Sequence, residues 1–310
     1  MKKLNVFLLI LIFSLSGCYK DRNDLDPTGN PILPENPQEI DQRFVAENGE
    51  VYFTGLECTG TGDYNVDTEN LLSALSIPDT LPDAFDLSEF LPPVGNQGDL
   101  GSCSSWATSY YMKSFQEKIQ SGLPYSDNTI FSPSYTYNQL TDSECGGTSI
   151  AATLAIIEEQ GVAALEIFPY YENDCNTQPE EDVIQAAGEA KIADFKALSG
   201  ENMVAEIKTL LTQQQPVIIG TVLSPEFGVT DNFGLTAYRP HNIDYENVTC
   251  HAMLVVGFND DFNAFKVVNS WGIGWGDSGF VWIDYLAFEN VINENSNFRV
   301  INQAYVAYDL

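Results

Sequence analysis

Between Leu81 and the C-terminus, hydrophobic positions recur first with helical and then with strand spacing. In Cys103–Ser121, Trp106 and Tyr110 stand four apart, as do Ala107, Tyr111 and Phe115, and Ser121-Gly122 closes the run. This spacing predicts an amphipathic helix. Further helices are expected over Ile150–Glu159, stopped by Gly161, and over roughly Met203–Gln213. After Pro216 the chain changes character. Val217–Ile219, Ala252–Val256, Ala264–Val268 and Gly279–Ile283 are short β-branched runs between Gly, Asn and Asp turns, which predicts strands. Upstream, Val51–Phe53 reads as a short strand and Glu69–Leu75 as a helical turn or two. A helix-rich first half followed by a strand-rich second half predicts an α+β fold of two packed lobes, with a cleft between them as the natural site. No internal repeat is visible.

The N-terminus follows a different pattern. Lys2-Lys3 precedes twelve mainly apolar residues, Leu4–Leu15, and then Ser16-Gly17-Cys18. A bilayer-spanning helix needs about 20 apolar residues, so this run reads as a secretory signal. Leu15-Ser16-Gly17-Cys18 resembles the lipobox of bacterial lipoproteins. That resemblance implies removal of residues 1–17, lipidation of Cys18 and export across the inner membrane. Tyr19 after the Cys points to the outer membrane, on either face. Residues 18–80 are then the lipidated Cys, a flexible tether rich in Asp, Asn, Pro and Gly to about residue 50, and a small packed segment. Residues 81–310 are the globular domain.

Composition narrows the function. The 310 residues carry 44 Asp+Glu against 13 Lys+Arg, a formal charge of −31. Such a surface cannot neutralise phosphates, so a nucleic-acid partner is excluded. The acid excess either repels an anionic cell surface or favours cationic peptides. Hydrophobic residues make up 44% of the chain, too many for a disordered acidic tail. No cofactor is implied. There is no Cys-x-x-Cys or His-x-x-x-His spacing for zinc, and Asp260-Asp261 reads as a solvated face. Asn247-Val248-Thr249 matches a glycosylation sequon of little meaning in a bacterial lipoprotein. The chain has only two histidines. His241 sits in an unremarkable Pro-Asn context, whereas His251 opens an apolar strand.

Three blocks carry candidate chemistry. Gln97-Gly98-Asp99-Leu100-Gly101-Ser102-Cys103 runs into the first helix, His251-Ala252-Met253 opens a strand, and Asn269-Ser270-Trp271-Gly272 precedes Gly274-Trp275-Gly276. In this order they resemble the papain-like cysteine peptidases, over roughly residues 81–288. The resemblance implies a papain-like two-lobed fold with a helical first lobe, a β-barrel-like second lobe and the active-site cleft between them. It implies Cys103 as nucleophile, favoured as thiolate by the helix N-terminus. His251 would be its imidazolium partner and general acid, and Asn269 would orient the ring. Trp271 would shield that hydrogen bond, and the Gln97 amide with the Cys103 N–H would stabilise the oxyanion.

Cys145-Gly146-Gly147 resembles the family's Gly-Gly segment, so Gly146 and Gly147 are expected to pair with substrate backbone, with Trp271 also at the substrate. Phe168-Pro169-Tyr170 before Cys175 is also familial, and Cys145–Cys175 is the favoured disulfide. A Cys58–Cys250 bridge is the remaining pairing. Leu100 stands where plant and lysosomal members have a second Cys, and Ser104 where they have Trp. The family's helical inhibitory prosegment is not visible upstream of Leu81, so autoinhibition has no support in the sequence. The expected partner is a peptide or protein substrate, the expected state a monomer. An inactive peptide-binding scaffold and another acyl transfer, by a transpeptidase or amidase, stay open as alternatives.

Overall fold

The computed structural model describes residues 42–57, 70–73, 75–141, 144–230, 235–238, 249–289 and 299–310. The signal sequence, Cys18, Cys58, His241 and the Asn247 sequon lie outside these residues.

Two short strands open the described chain, β1 (Arg43–Val45) and β2 (Val51–Phe53), paired antiparallel. After β3 (Ala84–Asp86) comes α1, a continuous helical run. It starts as α-helix over Cys103–Ser105, widens to a π-helix over Trp106–Lys113 and returns to α-helix over Ser114–Ser121. The predicted helix therefore has the predicted limits, but its middle is more loosely wound. Tyr111, Met112 and Phe115 are fully buried along it. Lys113, itself buried, pairs with Asp309, and Gln116 Nε2 donates to Ala307 O at 2.9 Å. These contacts press α1 onto the C-terminal strand.

Helices α2 (Pro133–Leu140) and α3 (Ile150–Glu159) pack beside it. Pro133 suits the first helical position, where no N–H is needed. Ser149 caps α3 by accepting from Ala152 N at 3.4 Å. Then follow α4 (Glu181–Ala187), β4 (Ile192–Ala197) and α5 (Met203–Thr212).

The rest is mostly sheet: β5 (Val217–Leu223), β6 (Ala237–Tyr238), β7 (Thr249–Asn259), β8 (Ala264–Val268) and β9 (Phe280–Asp284), then α6 (Leu286–Glu289) and β10 (Ile301–Asp309). The fold is α+β, as expected. One detail differs. The strands run in the order β4-β10-β5-β7-β8-β9-β6, with β3 pairing β7 beyond the end of β5. Among the described residues the end strands β4 and β6 do not meet, so the sheet is open and not a closed barrel.

β5 is buried along its whole length, which is why Val217–Ile219 reads as a continuous apolar run rather than an alternation. Residues 70–73 are not helical. Leu71 bridges Ala197 on β4, and Leu72 N donates to Ala197 O at 2.8 Å. Leu71 and Leu72 thus belong to an extended strip along a sheet edge.

Candidate active site

Three elements converge on one point. Cys103 begins α1. His251 lies on β7, opposite Thr221 of β5. Asn269 follows the last residue of β8. Pairing of Leu254 with Val268, carried three residues further, brings His251 level with Trp271. That register explains why an Asn-Ser-Trp block eighteen residues downstream reaches the histidine. Nε2 of His251 lies 2.7 Å from Asn269 Oδ1, and the imidazole stacks on Trp271 with centroids 4.6 Å apart. Ser270 Oγ donates to Gln97 Oε1 at 2.6 Å, leaving the Gln97 amide hydrogens for other acceptors. Tyr170 OH donates to Gln97 O at 2.7 Å and lies 2.8 Å from Ser102 Oγ, which steadies the loop before Cys103. Tyr111 OH, on α1, donates to Asn269 O at 2.9 Å.

Cys145 and Cys175 form a disulfide across a separation of 30 residues. Tyr137 OH donates to Cys145 O at 2.6 Å and also lies 3.1 Å from Gly146 O. These contacts hold the strip Gly146–Thr148 beside Cys103. Cys250 is also disulfide-bonded; its expected partner, Cys58, lies outside the described residues. Cys103 is the free cysteine among the described residues, and it is buried.

The chain's own upstream segment lies against the groups that flank it. Residues 42–57 lie in the cleft. Gln97 Nε2 donates to Thr54 O at 3.0 Å as well as to Leu100 O at 2.8 Å. Thr148 N donates to Gly55 O at 2.7 Å, and Leu56 bridges Thr148 in parallel. Trp271 Nε1 donates to Phe53 O at 2.7 Å. Tyr52 and Phe44 both stack on Trp271, at 4.6 Å and 5.6 Å. The backbone pairing seen beside the Gly-Gly strip is thus intramolecular and falls on Thr148, next to Gly147, with Gly55 and Leu56 opposite. Gly146 turns its carbonyl to Tyr137 and Thr141 instead.

Covering changes the electrostatics. Cys103 and His251 are both 0% exposed. Burial pushes the Cys103 thiol up to about 12, against hydrogen bonds from Ala252 N and Ser104. It pushes His251 down to about 4, against the Asn269 hydrogen bond. Both groups are neutral near pH 7 while the segment is in place. Ala252 N donates to Cys103 Sγ at 3.4 Å, and His251 Nδ1 is buried without a hydrogen-bond partner. Ser102, the residue before the helix, makes no side-chain cap, so the helix N-terminus offers only its backbone dipole against this burial.

The upstream cover, Ser270, Tyr111 and Tyr170's hydroxyl contacts are absent from the sequence reading. One signal was available for the first of these. Asn48-Gly49 between two short runs bearing Phe44 and Tyr52 is a hairpin turn pattern.

Among the described residues there is no group of three or more His, Cys, Asp or Glu side chains placed to hold a metal ion. No helix there is long and apolar enough to cross a membrane.

Comparison with known proteins places this geometry. The family described as "Papain family cysteine protease" matches residues 81–298. The peptidase C1-like protein L477 of Acanthamoeba polyphaga mimivirus is 28% identical over 237 residues, covering 72% of each chain. Mouse cathepsin K is 24% identical over 234 residues, 73% of this chain and 66% of its own. Among solved structures, xylellain, a cysteine protease from Xylella fastidiosa, superposes with a TM-score of 0.61 at 19% identity. It covers 84% of this chain and 95% of xylellain. Bromelain from Ananas comosus, solved with the E64 inhibitor, gives 0.57 at 18% identity, covering 74% of this chain and 100% of bromelain.

Proposed function

The chain belongs to the papain family of cysteine proteases, and on that premise we propose that it hydrolyses peptide bonds through Cys103 and is held closed by residues 42–57. The observation that supports this most is the meeting of Gln97, Cys103, His251 and Asn269, from three separate stretches of sequence, at one point of the cleft.

The steps follow from the groups present. With the segment displaced, water reaches the pair and the burial penalty on both charges falls. The Cys103 proton passes to His251 Nδ1, while Asn269 Oδ1 holds Nε2–H. The thiolate attacks the scissile carbonyl carbon, forming a C–S bond and moving the π electrons onto oxygen. That oxyanion takes the Gln97 amide hydrogen now given to Thr54 O, together with the Cys103 N–H. Collapse breaks the C–N bond, and His251 protonates the leaving amine. Water, deprotonated by His251, then cleaves the thioester to the carboxylic acid and returns the proton to sulfur.

The proposal extends to location. The Lys2-Lys3, Leu4–Leu15 and Leu15-Ser16-Gly17-Cys18 pattern supports export and lipidation at Cys18, placing the peptidase on a membrane surface, the outer membrane by the Tyr19 signal.

The test is cleavage of a mixed peptide library by the full-length protein after displacement of residues 42–57, read by mass spectrometry. Cleavage that disappears in Cys103→Ala is the expected result. No cleavage in any form would remove the peptidase reading and leave a scaffold or another acyl transfer.

A further inference from the structure

Residues 42–57 place one side chain in the wall of the cleft. Leu56 is only 4% exposed. It lies two residues beyond Thr54, whose carbonyl takes the Gln97 hydrogen bond. Its tip rests on Gly220 of β5. A methyl group on that glycine would stand 2.7 Å from Leu56 Cδ2, 3.0 Å from Asn302 Oδ1 and 3.2 Å from Gln303 Cβ. Gly220 pairs with Ala252, the neighbour of His251. The side chain absent at Gly220 is therefore the room that Leu56 fills, one residue from the reacting groups.

Asn302, on β10, closes this socket and is 1% exposed. Its Nδ2 faces Cys250 Sγ at 3.9 Å. Cys250 is disulfide-bonded, so its sulfur has no proton to donate, and only the NH2 side of the amide suits it. Oδ1 is then the atom turned to the socket. It is buried and has no hydrogen-bond partner. Leucine, having no donor, leaves that acceptor unpaired, and an unpaired buried carbonyl is costly.

We propose that Asn302 is a specificity-determining residue of this cleft: its Oδ1 reads the tip of the side chain in the Leu56 socket and favours one that donates a hydrogen bond over an aliphatic one of similar shape. The proposal rests on the reading of the cleft as a peptide-binding site. Glutamine and methionine are suitable probes, being unbranched and alike in reach and differing in the donor.

Because the chain supplies its own occupant, the test needs no peptidase activity. Leu56→Gln and Leu56→Met are made in the full-length protein, each with Asn302 and with Asn302→Leu, and the rate of Cys103 alkylation by iodoacetamide reports how firmly the segment is seated. Changing Asn302 to Leu should shift the Gln-to-Met ratio of protection by about tenfold towards Met, the worth of one hydrogen bond. An unchanged ratio would overturn the proposal. A second measurement covers Leu56 variants that fail to fold. The wild-type protein with residues 42–57 displaced is given paired peptides carrying Gln or Met at each position in turn. One position should show a Gln-to-Met kcat/KM ratio that drops about tenfold in Asn302→Leu, and the same ratio in both proteins at every position would overturn the proposal. Protection that follows the expected order without any cleavage would leave Asn302's role standing and remove the peptidase reading.

Discussion

Gln97 gives one hydrogen of its amide to the carbonyl oxygen of Thr54, 3.0 Å away. A hydrogen-bond donor suited to a reacting carbonyl is thus occupied by the protein's own backbone, six residues before the buried Cys103.

Gly55 is the point at which the cover is most easily lifted. Its φ of +127° is a glycine conformation, and a Cβ there would run into the carbonyl oxygen of Gly101. Gly55→Ala should weaken seating by roughly 1–3 kcal/mol, the usual cost of such strain. Peptide cleavage by the full-length protein should rise by about tenfold or more. Equal rates for Gly55→Ala and wild type would show that residues 42–57 do not limit access.

Asn269 holds the His251 ring through Nε2. In protein opened by Gly55→Ala, the further change Asn269→Ala should lower kcat by about 10²–10⁴ with little change in KM, as expected for a group acting on proton transfer. The melting temperature should fall by only about 2–4 °C, as for the loss of one hydrogen bond. A parallel rise in KM with kcat unchanged would assign Asn269 to substrate binding instead.

Acid should destabilise the covered protein. His251 is held down to about 4 by burial, against an ordinary value near 6.5. The unfolded chain therefore binds a proton that the folded one refuses. This contribution is fully present above pH 6.5 and is lost as pH falls from 6.5 to 4. It amounts to up to roughly 3 kcal/mol. Urea unfolding at pH 7 and pH 4.5 should show a loss of this order in the wild type and a smaller one in His251→Gln. Equal pH dependence in both would place the effect elsewhere. Cys103 acts at the other end: its stabilising contribution is present below about pH 9 and lost as pH rises towards 12.

The Cys145–Cys175 disulfide fixes the strip that pairs with Gly55 and Leu56. Cys145 takes a left-handed backbone, φ +58°, at the turn into Gly146-Gly147. Cys175→Ser should cost about 2–4 kcal/mol of stability by denaturant unfolding. In opened protein it should raise KM more than it lowers kcat, because the strip binds backbone and touches no reacting atom. A selective loss of kcat would contradict that role.

Much of this was legible in the sequence. Cys103, His251 and Asn269 each sit at the start or end of a strongly patterned element, and the Asn-Ser-Trp block fixed their association. The helices at Ile150 and Met203 and the strand at Ala264 were legible because their apolar spacing matches one period over their full length. Other features depend on contacts between distant parts of the chain. β10 pairs with both β4 and β5, which periodicity alone does not reveal. Asn70–Leu72 reads as helical by spacing, yet the free edge of β4 recruits it as an extended strip. The seating of residues 42–57 is not legible in the sequence because it works through backbone groups of Phe53, Thr54 and Gly55, which leave little mark on side-chain pattern. That the sheet stays open was not legible, because short apolar runs specify strands and not whether the end strands meet.

The most direct test of the central claim, that Cys103 is a peptidase nucleophile covered by residues 42–57, is intact-mass measurement after an epoxide thiol inactivator. The account predicts slow labelling of the wild type, rapid gain of a single adduct in Gly55→Ala, and none when Cys103→Ala is added. An adduct that persists without Cys103, or equal labelling of wild type and Gly55→Ala, would contradict it.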